Sequence, residues 1–199
     1  MAPLFGKRPD LPSRLAARVP PGQHVVERLP VLQTGSVRHL DRSSWVLRVT
    51  GLVDPPLRFS LEDILALPAT SQVSDIHCVT TWSMLDTHWM GVQIADLLAG
   101  TRILPTARHV LVHGDRAWTT NLPLEELLRD DVLAAYEYEG SPLSDEHGGP
   151  VRLVVPRLYF WKSAKWMTEI EFMAERRLGY WESVGYHELG DPWKEQRYS

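Results

Sequence analysis

The chain has 199 residues, 44% of them hydrophobic and 23% charged, a balance that suits one globular domain or one domain with a tail. Its formal net charge of −4 argues against the basic surface that general nucleic-acid binding needs. A lone cysteine rules out an internal disulfide scaffold and fits a reducing compartment, and no apolar run reaches the roughly 18 residues of a membrane span.

Residues 1–28 are rich in Pro, Arg and small polar residues, with Pro20, Pro21 and Gly22 as a breaker, and read as an irregular arm wrapped on a domain over 29–199. The first ten residues lack a continuous apolar stretch and a twin-arginine pair, so the expected compartment is the cytoplasm. Trp45–Thr50 before Gly51 reads as a strand ending in a turn. Ser60 to Leu67 reads as a short helix: Ser60 can cap its first amides, Glu62 and Asp63 suit its positive end, and Pro68 stops it. Gln72–Thr80 reads as a strand, Gly91–Leu98 as a helix closed by Gly100, and Arg108–His113 as a strand.

Asn121–Leu128 carries Pro123, Glu125 and Glu126 near its start and reads as a third helix. Val132–Tyr138 fits strand or helix, and Gly140 and Pro142 behind it favour strand. Val151–Val155 is nearly all apolar, as in a strand buried on both faces, and Thr168–Met173 alternates as a strand does. The tail from Arg176 has too many aromatic residues for disorder and is expected to pack back on the domain. Many short strands with few short helices make an α+β, β-rich fold.

Cys78, the lone thiol, can serve packing, nucleophilic chemistry or metal ligation. His77 beside it looks like a partner base, yet neighbours on a strand face opposite ways. A thiolate is a soft donor, and coordination to a metal removes its proton without a separate base. Far downstream lies His147-Gly148-Gly149-Pro150-Val151-Arg152-Leu153-Val154-Val155-Pro156, followed by Trp161-Lys162-Ser163-Ala164-Lys165-Trp166. Arg152 offers a planar fork for phosphate, Lys162 and Lys165 offer point charges, and amides near Ser163 and Ala164 suit an anion. Lysines, however, are most often solvated.

The Cys78-Val79-Thr80-Thr81-Trp82-Ser83-Met84 run and this downstream pair of segments resemble the sulfite oxidase superfamily of molybdenum enzymes, above all its small YedY-like branch, which includes the catalytic subunit of a methionine sulfoxide reductase. The resemblance runs from about Pro30 almost to the C-terminus. It implies the mixed, irregular sheet fold of the sulfite oxidase molybdopterin domain and a mononuclear molybdenum-molybdopterin cofactor, with Cys78 as protein ligand to the metal and catalytic residue. It further implies that His147, Arg152, Ser163, Ala164 and Lys165 contact the cofactor. His113, where relatives carry a threonine, and Gln33 and Thr34, where relatives wrap a loop over the pterin, are further cofactor candidates.

Trp82, Trp161 and Trp166 are candidate pocket walls, and Asp86 and His88 candidate residues of the substrate mouth. Ser83 stands where sulfite oxidases place an arginine that holds the sulfite anion, which speaks against sulfite oxidation. The expected function is oxygen-atom transfer to or from a small sulfur or nitrogen compound, with sulfoxide or N-oxide reduction favoured. No haem domain fits in the chain, so electrons pass through a separate redox partner protein or carrier. Two other readings stay open: a non-catalytic molybdopterin-binding module, and a metal-free thiol enzyme using Cys78.

Overall fold

The structure, a computed structural model, describes residues 13–115 and 118–199; the first twelve residues of the expected arm lie outside them. Two mixed β-sheets carry the architecture, and the helices are short connectors. In the first sheet the long strand Trp82–Gln93 pairs antiparallel with Thr70–His77 on one side and with Leu133–Tyr138 on the other. Leu133–Tyr138 in turn pairs with Arg152–Val154 and with Ser141–Pro142. The second sheet runs in the order Leu57–Ser60, Val46–Gly51, Glu169–Met173, His109–His113, Thr119–Pro123, and only the Val46–Gly51 and Glu169–Met173 pair is parallel. This is the expected α+β, β-rich mixed-sheet class.

The main core lies between the sheets. Leu47, Val49, Val110, Val112, Ile170 and Phe172 meet Val92, Ala134 and Leu153 there, all with almost no exposure. The first sheet is also buried on its far side. Leu133, Ala135 and Val154, alternating with the core-facing residues, pack there with Ile76, Trp89, Tyr159 and Cys78. The apolar run around Val154 is therefore covered on both faces, as its composition suggests. Gly91 makes one strand contact possible: a Cβ on it would lie 2.5 Å from the Ala134 carbonyl oxygen, beside the irregular register between Ala135 and Glu137.

The helix Leu61–Ala66 is capped as expected. Ser60 Oγ accepts from the Asp63 amide at 3.1 Å, and the Asp63 carboxylate accepts from the Ser60 amide at 2.7 Å. The other two helices are shorter than their sequence patterns suggest. Gly91–Gln93 is drawn into the ladder with Leu133–Ala135, which leaves Ile94–Leu97. Asn121–Pro123 pairs with His109–Leu111, which leaves Leu124–Leu127. In both places tertiary pairing overrides local helix preference. The strand expected to run to Thr80 stops at His77, because the chain reverses through a turn at Cys78–Thr81 into Trp82–Gln93.

The arm and the tail both close on that turn. His24 and Val25 pair parallel with Trp82 and Ser83, Gln23 Nε2 donates to the Cys78 carbonyl at 3.0 Å, and Arg18 bridges Asp75 and Asp86. From the tail, the Arg197 guanidinium donates to the Val79 carbonyl and lies 5.2 Å from the Tyr159 ring centre.

Candidate active site

Cys78 sits at the start of the turn. Its amide donates to the Trp82 carbonyl at 2.8 Å and its carbonyl accepts from the Thr81 amide at 3.0 Å, while Thr81 takes a φ of 75° to complete the reversal. Thr80 Oγ1 donates to Cys78 Sγ at 3.2 Å. Cys78 is 8% exposed and forms part of a cavity wall. Burial pushes the thiol above its ordinary range, and the Thr80 hydroxyl and the nearby Arg197 charge oppose that push.

His77 points away from the cavity. Its Nδ1 is 2.8 Å from Ser83 Oγ, and its ring meets Trp193 edge-on. Burial lowers its pKa to about 4, so it is neutral at physiological pH and sits in no position to take the Cys78 proton. Ser83, the residue standing where an arginine would hold sulfite, is fully buried against His77 and is absent from the cavity lining.

The cavity encloses about 280 Å³. Gln33, Thr34, Cys78, His147, Arg152, Ser163, Ala164 and Lys165 all line it, as do Trp82, Trp161 and Trp166. Widely separated stretches of sequence thus meet at one place. Arg152 reaches it from the buried strand Arg152–Val154, with Nη1 donating to the His147 carbonyl and Nη2 to the Ser163 carbonyl, both at 2.8 Å. The guanidinium lies 4.3 Å from the Phe160 ring centre. Among the described residues no carboxylate pairs with it, and burial lowers its pKa to about 9.

Lys165 Nζ donates to the carbonyls of Glu146 at 2.6 Å and Leu32 at 3.2 Å, and to Gln33 Oε1 at 3.2 Å. Burial and the Arg152 charge lower its pKa to about 7. Gly148, at φ 98°, lets the His147 turn lie against it: a Cβ there would sit 2.7 Å from Lys165 Cβ. His147 is pushed down by burial and by the two cations.

Four sequence expectations do not hold at this cavity. His113 is outside it: strand alternation sends Val112 into the core and His113 to the opposite face, where its Nε2 is 3.0 Å from Glu171 Oε2 on the neighbouring strand. Asp86 pairs with Arg18, and His88 is an exposed residue whose amide donates to Glu139. Lys162 is neither solvated nor a cavity cation. It is fully buried, 2.6 Å from Glu182 Oε1, and also donates to Asn121. Burial lowers its pKa, and Glu182 opposes that.

Sequence reading also missed Thr80, Trp118, Thr120, Phe160, Trp181 and Tyr186, all on the wall. The aromatic richness of the tail was a signal for Trp181 and Tyr186, but nothing in the order of residues says which ring meets the cavity.

This donor set fits a molybdenum-pterin group. Among the described residues it supplies one soft sulfur, the buried Arg152 and the half-buried Lys165 without carboxylate partners, and a buried Trp82 Nε1 that has no hydrogen-bond partner. Among the described residues no cluster of three or more His, Cys, Asp or Glu is placed to hold a metal, so a metal at Cys78 would take its other donors from a non-protein group.

Residues 34–181 match the oxidoreductase molybdopterin-binding domain. The chain belongs to this family. It is 47% identical over 196 residues, 98% of both chains, to the uncharacterised oxidoreductase YuiH of Bacillus subtilis. It is also similar to the catalytic subunit MsrP of protein-methionine-sulfoxide reductase, at 28% identity in Campylobacter jejuni (77% of this chain, 57% of that one) and 31% in Xanthomonas campestris (78% and 53%). The chain therefore spans little more than half the length of these reductase subunits.

Among solved structures, the sulfane dehydrogenase SoxCD of Paracoccus pantotrophus shares the fold, with a TM-score of 0.64 and 23% identity over 86% of this chain and 56% of that one. The protein is an enzyme, a molybdopterin oxidoreductase of the sulfite oxidase superfamily. Among the described residues no helix is long and apolar enough to cross a membrane.

Proposed function

We propose that the cavity holds a mononuclear molybdenum-molybdopterin cofactor and that the enzyme reduces a small sulfoxide or N-oxide. The observation that carries the reading is the shared cavity: Cys78 Sγ and the unneutralised Arg152 and Lys165 line the same wall although distant in sequence. When bound, the group supplies the two-electron oxygen-atom chemistry. The chain supplies the rest. The Cys78 thiolate is the protein's metal ligand, with the Thr80 hydroxyl donating to it. Arg152 and Lys165 hold the anionic pterin phosphate, with Gln33, Thr34, His147, Ser163 and Ala164 packed around it. The aromatic walls exclude water.

In the overall balance a sulfoxide takes up two electrons and two protons, its sulfur–oxygen bond breaks, and a thioether and one water molecule result. An amine N-oxide is reduced to the amine and water with the same count. The electrons come from a separate redox protein or carrier. Reduction is preferred over sulfite oxidation because Ser83, at the anion-holding position, is withdrawn from the cavity and bonded to His77. The likeness to methionine sulfoxide reductase subunits supports the same direction. The single unpaired thiol favours the cytoplasm as the working compartment.

Elemental analysis and pterin release on protein from a cofactor-producing host test the reading, alongside dye-linked reduction of dimethyl sulfoxide. Stoichiometric molybdenum and Cys78-dependent turnover are expected. Turnover in metal-free protein would overturn the assignment.

A further inference from the structure

The cavity lining divides by its contacts. Arg152 and Lys165 have their ring contacts with Trp89, Phe160 and Trp166. Trp118, Trp161, Trp181 and Tyr186 form a separate set linked ring to ring: Trp118 to Trp181 at 6.1 Å, Trp181 to Tyr186 at 5.0 Å and Tyr186 to Trp161 at 5.2 Å.

This set is held in place by specific contacts. Trp161 Nε1 donates to the buried Glu182 Oε1 at 3.0 Å, and its ring stacks on Tyr159 at 5.2 Å. Its other neighbour is Gly190, where a Cβ would come within 2.7 Å of the indole. Gly179 lets the tail press on strand Thr119–Pro123, since a Cβ there would lie 2.7 Å from Thr120 Cα. The one lysine behind this wall, Lys162, is neutralised by Glu182, and the Thr120 hydroxyl is engaged with Glu182 as well. The four residues thus bring aromatic faces and no charge of their own to the lining, and Arg197, 5.2 Å from the Tyr159 ring that stacks on Trp161, has Glu195 Oε1 at 3.9 Å. Such faces attract a positive centre carrying methyl groups and give an anion nothing to bind.

We propose that Trp118, Trp161, Trp181 and Tyr186 form the substrate subsite and that it takes a methylated positive nitrogen, that of an amine N-oxide. This deepens the proposed reduction and rests on it for the chemistry, but the subsite is tested apart from turnover.

The probes are choline and its uncharged isostere 3,3-dimethylbutan-1-ol, titrated calorimetrically into the cofactor-loaded protein. Choline is expected to bind about tenfold tighter than the alcohol, within the range of a partly desolvated cation–π contact. Trp181→Leu and, separately, Tyr186→Leu are expected to remove most of that preference. In both variants the KM for trimethylamine N-oxide should rise several-fold, with kcat much less affected and molybdenum content unchanged.

Equal affinity of the two probes for the wild-type protein overturns the subsite, and that measurement needs no variant to fold. Choline preference retained in both leucine variants overturns the residue assignment. If choline binds selectively while turnover is independent of Cys78, the subsite stands and the proposed function falls. If turnover depends on Cys78 while choline shows no preference, the function stands and the subsite falls.

Discussion

Lys162 Nζ and Glu182 Oε1 lie 2.6 Å apart, and neither side chain has any exposed surface. Glu182 comes from the C-terminal tail and Lys162 from the turn leading into the cavity-lining Ser163, Ala164 and Lys165, so the pair ties the tail to the cavity wall through Trp161. Removing one partner strands a buried charge, which typically costs about 3–5 kcal/mol. Lys162→Met and Glu182→Leu are each expected to lower stability in urea by that order. The double variant should recover much of the loss, because an apolar pair leaves no charge behind.

Cys78 carries a sharper expectation. Cys78→Ala should abolish dye-linked turnover and leave the stability in urea within about 1–2 kcal/mol of wild type, since it trims one small buried side chain. In cofactor-free protein, burial keeps the thiol protonated at neutral pH. Iodoacetamide should therefore modify it slowly at pH 7 and faster as the pH rises, because only the thiolate reacts. Rapid modification at pH 7 would favour the metal-free thiol enzyme.

Lys165 predicts a pH dependence. Its folded pKa of about 7 lies below the ordinary 10.5, so between those values the unfolded chain binds more protons than the folded one. The stability of cofactor-free protein should consequently gain from this group as pH rises from 7 towards 10.5. Anion binding has the opposite trend. Inorganic phosphate, titrated calorimetrically, should bind more weakly as the pH climbs above 7 and the amine loses its proton. A bound anion favours the protonated amine and moves the fall upward. Lys165→Arg should flatten the profile, and Lys165→Met should weaken binding roughly ten- to a hundredfold, the scale of one charge-assisted hydrogen bond.

His113 should be dispensable for the cofactor. It faces Glu171 and lies outside the cavity lining. His113→Gln is expected to retain full molybdenum content and to change stability by less than about 1 kcal/mol, as for a partly exposed pair. Loss of metal in this variant would place the residue back at the site.

Local chemistry made several features readable in advance. The Ser60 cap, the buried run around Val154 and the alternating strand Glu169–Met173 follow from side chains acting within a few residues of each other. The lone thiol and the cation-bearing downstream segments, read through their resemblance to the molybdopterin family, named candidate donors, since few residue types can hold a soft metal and a phosphate. Pairing and facing were decided elsewhere. Gly91–Gln93 and Asn121–Pro123 became strand because a distant partner completed their hydrogen bonds.

His113 and Lys162 show the same limit in the site. Lys165 does line the cavity with Arg152, whereas His113 was turned outward by the pleat and the neighbouring lysine, Lys162, was buried against Glu182. The identity of a side chain sets what it can bind. Its burial, its charge state and the company it keeps arise only when segments far apart in the chain compete for the same interior, and no local pattern encodes the outcome of that competition.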